Sequence, residues 1–79
     1  MRVVRAVSGF SKADDSLVWE TEVGDDVVAE VGAASDTSGD PEMYNAYPLE
    51  GELLRKVSRI AGFEIDADLD YLLETYTQG

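Results

Sequence analysis

Asp66, Asp68 and Asp70 have the alternating carboxylate spacing that opens an EF-hand calcium loop, the one place in this chain where residue type and spacing together suggest a metal. The loop is not completed. Its sixth position falls on Tyr71, where the sharp turn requires glycine, and its twelfth on Thr77, where a bidentate glutamate is required. The expectation is no metal site and no cofactor, with only weak, nonspecific cation attraction. The chain has no cysteine and no histidine. That removes thiol nucleophiles, Cys/His zinc centres, Ser-His-Asp triads and imidazole proton shuttles. Carboxylate pairs run acid–base chemistry in glycosidases and aspartic proteases, but acids are so frequent here that adjacency carries no information. A chain of 79 residues also has little room for a cleft and its supporting shell. Its seven glycines occur singly, with no phosphate-binding loop among them. No catalytic residue, and no enzyme, is expected.

What remains is charge, and its placement is uneven. Seventeen acids face six bases, for a net charge of −11. Every base lies between Arg2 and Lys12 or between Arg55 and Arg59, so the twelve acids from Ala13 to Leu54 and the five from Ile60 onward stand unopposed within their stretches. Such a surface attracts cationic proteins or metal ions and repels nucleic acid and anionic lipid. The expected partner is therefore a basic protein, with no nucleic acid and no membrane. The apolar run that ends at Phe10 is too short and interrupted for a signal sequence, and no stretch approaches the length of a transmembrane helix. With no cysteine to form disulfides, a cytoplasmic location is expected. A hydrophobic content of 44% is well above that of a disordered acidic tail. The chain should fold, as one domain over residues 1–79.

The elements follow from periodicity and punctuation. Arg2 to Phe10 is rich in β-branched residues and reads as a strand; after the polar turn 11–16, Leu17, Trp19, Thr21 and Val23 alternate with Val18, Glu20 and Glu22 as a second strand of a hairpin. Trp19 is expected to anchor the core. Val27, Val28 and Val31 then have helical spacing, with Asp25 as N-cap, Asp26 in the first turn and Gly32 as the stop. The Ser-, Gly- and Asp-rich stretch 33–40 reads as a loop, and Pro41 to Tyr47 as a short extended segment. Tyr47-Pro48 looks like a junction into a helix that buries Leu53, Leu54, Val57, Ile60 and Ala61, pairs Glu52 with Lys56, and ends at Gly62. Two tyrosines and a threonine favour a closing strand over Tyr71 to Tyr76. The predicted fold is α+β: a small, mainly antiparallel sheet of three to four strands with two helices on one side.

Gly9-Phe10, Trp19-Glu20, Tyr47-Pro48-Leu49 and Tyr71-Leu72-Leu73-Glu74, set in this order of elements, resemble small acidic bacterial domains similar to the immunity proteins of contact-dependent and other polymorphic toxin systems. The resemblance implies a protein that binds and neutralises a cognate toxin domain, and it assigns no site residue. The residues themselves supply a candidate surface: Asp14, Asp15, Glu20, Glu22, Asp25 and Asp26, with Tyr44 as an aromatic anchor. An acidic face of this kind fits the phosphate-binding cleft of a basic nuclease, where complementary charge speeds association. Two other classes stay open: a DNA-mimic inhibitor of nucleic-acid-binding proteins, and an interaction domain whose acidity is a halophilic surface adaptation. An exposed strand edge also leaves a homodimer open.

Overall fold

A computed structural model describes residues 2–79. The elements run β1 (Arg2–Ser11), β2 (Leu17–Glu22), α1 (Asp25–Ala34), β3 (Tyr47–Leu49), α2 (Gly51–Ala61) and β4 (Leu69–Gln78). The strands form one antiparallel sheet in the order β2-β1-β4-β3. Both helices pack on one face of it, which is the predicted α+β architecture.

Side chains alternate between the faces of a strand, and this alternation divides the sheet. Val7 of β1, Tyr71 and Leu73 of β4, and Tyr47 and Leu49 of β3 point to the helices and join Val27, Val31, Met43 and Val57 in a single buried cluster. In α1, Val27 and Val31 lie four residues apart on one face and are 1% and 0% exposed. Valine is an indifferent helix former, so this helix depends on that burial more than on propensity. In α2, Val57 is fully buried and Leu53, Leu54 and Ala61 pack around it, whereas Ile60, at the margin of the apolar stripe, stays 42% exposed.

Several local expectations are corrected. Helix α1 does not stop at Gly32 but runs on to Ala34. Met43 explains the glycine: a Cβ on residue 32 would lie 3.0 Å from its Sδ, so the bare backbone makes room for a core side chain. The N-cap of α1 is Gly24, and Asp25 is the first helical residue with no capping bond from Gly24. The short strand lies across Tyr47-Pro48-Leu49 instead of before the proline. β3 is an edge strand, where a residue without an N–H is tolerated, and α2 starts after Glu50. Glu52 pairs with Arg55 at 2.6 Å, not with Lys56, which reaches across to Glu30 of α1 at 3.9 Å. As predicted, α2 ends at Gly62, in the left-handed conformation (φ 79°) with its N–H bonded to the Ser58 carbonyl.

Trp19 is half-buried, packed against the core instead of within it. Its ring centroid lies 4.8 Å from that of Phe63 and 5.9 Å from that of Tyr71, the second contact edge-on. Gly9, the cross-strand partner of Trp19, makes this possible. A Cβ there would come within 3.0 Å of Leu69 Cδ1 and 3.5 Å of Trp19 Cε3.

Candidate functional site

The face of the sheet turned away from the helices is covered by no other element, and the register fixes what it displays. Residues paired across neighbouring strands share a face. One row is Glu20, Ser8, Leu72 and Pro48; the next is Glu22, Ala6 and Glu74; beyond it Val4 pairs with Tyr76 and Arg2 with Gln78. At the other end Leu17, Phe10 and Asp70 are aligned. Ala6 and Ser8 are 0% exposed although no helix lies over them. Their small side chains are covered by the longer ones beside them on β2 and β4, so carboxylates stand on both sides of the middle of the face.

The carboxylates are held by the face itself. Glu20 accepts hydrogen bonds from the Ser8 hydroxyl through Oε2 and from the Tyr76 hydroxyl through Oε1, both at 3.3 Å. The Tyr76 hydroxyl titrates above its ordinary value, through partial burial first and the adjacent Glu20 charge second, so it stays a donor at neutral pH. Glu22 pairs with Arg2 and Asp70 with Lys12, the latter at 3.6 Å. Glu20 and Glu74 have no ion-pair partner among the described residues. Two uncompensated carboxylates thus flank the small residues Ala6 and Ser8, beside an aromatic hydroxyl. The arrangement can hold an ammonium or guanidinium group and exclude anions.

The seven residues expected to form a partner surface lie in two parts of the fold. Glu20 and Glu22 lie on the open face. Asp14 and Asp15 are in the turn before β2 and Asp25 and Asp26 follow it, so the six acids are strung along the edge strand and its two flanks. Their local roles differ. Asp14 Oδ1 accepts from the Ser16 N–H at 3.1 Å and the Ser16 hydroxyl at 2.7 Å, which holds its carboxyl below the usual range and fixes the turn. Asp26 accepts from the N–H of Val27 at 2.9 Å. Tyr44 is 53% exposed but lies beyond β1 and β4, ahead of the opposite edge strand, under the Arg5 guanidinium at 5.5 Å from its ring centre. It does not join the acids. Sequence reasoning missed Glu74, Leu72 and Tyr76. The period of two in β4 is their signal, because it places these residues opposite the face of the core residues Tyr71 and Leu73.

Asp66, Asp68 and Asp70 are used separately. Asp66 Oδ1 accepts from the Asp68 N–H at 2.9 Å while Asp70 faces Lys12. Among the described residues no three carboxylates converge on a point where a metal ion would sit. Nor is any described helix long and apolar enough to cross a membrane.

No curated protein and no solved structure matches the chain significantly. A family model does match, over residues 4–74, from near the start of β1 to the middle of β4 and so across every element that builds the open face. The chain belongs to that family, described as a domain of unknown function, DUF7683.

Proposed function

We propose that this protein binds a basic protein partner through the open face of its sheet, and that the partner is a toxin domain which the binding neutralises. The observation that carries the reading is the pair of uncompensated carboxylates, Glu20 and Glu74, set on either side of the buried Ala6 and Ser8. A sheet face left bare normally carries mixed polar residues; this one combines apolar area at Leu17, Phe10 and Leu72 with a single sign of free charge. Charge complementarity would steer the encounter, and the apolar area would hold the complex. Neutralisation then needs no chemistry, because a bound domain occludes a cationic cleft sterically.

Glu20→Gln combined with Glu74→Gln tests it. Both changes remove charge while keeping size and a hydrogen-bonding oxygen, so the double variant should keep its circular dichroism spectrum and cooperative melt. Protection of cells expressing any toxin domain that neighbouring genes encode should be lost, and association with that domain should slow by roughly tenfold or more at low salt. A double variant that protects as well as the wild type would remove this face from the mechanism. Wild-type protein that gives no protection would remove the toxin reading itself.

A further inference from the structure

A groove of about 790 Å³ opens at the end of the sheet beside β3, and it adjoins the open face through Phe10, Asp70 and Leu72. Its origin is the shortness of β3. That strand pairs with β4 only from Tyr71 to Leu73, so Leu69 and Asp70 have no neighbour on that side. The space between them and the start of α2 stays open. The floor and walls are apolar, built from Leu49, Leu54, Ile65 and Leu69. The rim is not: Asp15, Glu50, Asp66 and Asp70 face a single base, Lys12, which is already paired with Asp70.

An apolar hollow with a negative rim selects its occupant by chemistry. A second copy of this chain, at net charge −11, would bring acids against acids. An anionic or neutral apolar ligand would leave the rim carboxylates unanswered. We infer that the groove receives one apolar side chain of the basic partner, flanked in the partner's sequence by lysine or arginine, and so acts as the anchor pocket of the interface. The inference rests on the proposed partner reading and gives it a place where binding energy concentrates, as it does when anchors fill desolvated pockets. Tyr44, expected to be an anchor offered by this chain, lies elsewhere; here the chain supplies the socket and the partner the plug.

The test titrates the whole protein, by amide NMR, with acetyl-Arg-Leu-Arg-amide, acetyl-Arg-Ser-Arg-amide and acetyl-Glu-Leu-Glu-amide. The first peptide should give saturable shifts centred on Leu54, Ile65 and Leu69. The serine peptide should bind about tenfold more weakly, as expected for loss of one buried apolar side chain, and the glutamate peptide should not bind. Ile65→Lys, at a position 41% exposed, should abolish the leucine peptide's shifts while the variant keeps a cooperative melt. Glu50→Lys, at an exposed position whose side chain makes no capping bond, should weaken them. Saturable shifts centred instead on Glu20, Glu22 and Glu74 would overturn the groove while leaving the acidic-face reading intact. Equal binding of the leucine and serine peptides, or no saturable shift at millimolar peptide, would also overturn it. So would unimpaired toxin protection by Ile65→Lys, in cells where Glu20→Gln with Glu74→Gln fails to protect.

Discussion

Trp19 shows how far the type of a residue determines its role. Its size and its place in an alternating strand direct it to the helix side of the sheet, and the structure puts it there. Yet β2 is an edge strand, and an edge position cannot be enclosed on every side. The ring is instead clamped between Phe63, Tyr71 and the bare backbone of Gly9. Fully buried aromatics cost about 3–5 kcal/mol on truncation to alanine; for this half-buried ring, Trp19→Ala should cost about 2–3 kcal/mol, read from urea unfolding. A loss above that range would mean that the tryptophan closes the core by itself. A loss near zero would make it a surface residue and free it to act at an interface. Gly9 has the complementary role, and no reading of composition identifies it. Its necessity comes from the Leu69 and Trp19 side chains, which arrive from the other end of the chain and from the partner strand.

At the scale of elements, the segment joining α1 to β3 carries the least regular structure and is organised by one side chain. Asp40 accepts from the N–H of Tyr44 at 3.0 Å, the N–H of Asn45 at 2.8 Å and the hydroxyl of Tyr47 at 2.8 Å. These bonds, from Asn45 first and then Tyr44, hold its carboxyl below the ordinary value of 3.8. A carboxyl depressed in the folded state stabilises the fold above its unfolded pKa, and that contribution disappears as pH falls through the folded value. Asp40→Asn should therefore melt below the wild type at pH 7, and the two melting curves should converge as the pH is lowered below about 3.8, the unfolded value. A gap that persisted in acid would assign the effect to lost packing instead of charge. The order of the elements, the hairpin, the C-cap at Gly62 and the side of the sheet that carries the helices were all legible, because periodicity and punctuation are local. The position of β3 was not. Tyr47-Pro48 reads as a helix entry from local preference, and only pairing with Leu72 and Leu73 makes it a strand. The candidate face was half legible for the same reason: the period of two sets Glu20 and Glu22 of β2 and Glu74 and Tyr76 of β4 each on one face of its own strand, while the β1–β4 register alone brings the two sets together.

For the molecule as a whole, attraction and repulsion can be weighed against one another. Among the described residues, four ion pairs engage Arg2, Lys12, Arg55 and Lys56, all at the surface, where each contributes about 0–1 kcal/mol and is weakened by salt. Arg5 is used differently, donating from Nη1 to the Met43 carbonyl at 2.5 Å and to the Thr75 hydroxyl at 2.8 Å, and from Nη2 to the Glu42 carbonyl at 2.9 Å. It fastens the loop to β4 and makes no ion pair among the described residues. Most of the seventeen acids therefore act on one another, within a body whose longest dimension is 31 Å. At 0.01 M salt the screening length is about 30 Å, so almost every pair repels; at 0.1 M it is about 10 Å, and only near neighbours do. Screening removes more repulsion than attraction. The melting temperature should rise from 0.01 M to about 0.1 M sodium chloride and level off toward roughly 0.5 M, where screening is shorter than the spacing of neighbouring strands. A melting temperature independent of salt would mean that the few ion pairs balance the repulsion. Unfolding at the low-salt end would show that the acid excess exceeds what the core can hold, the signature of a halophilic surface, and would weaken the case that Glu20 and Glu74 are there to meet a partner.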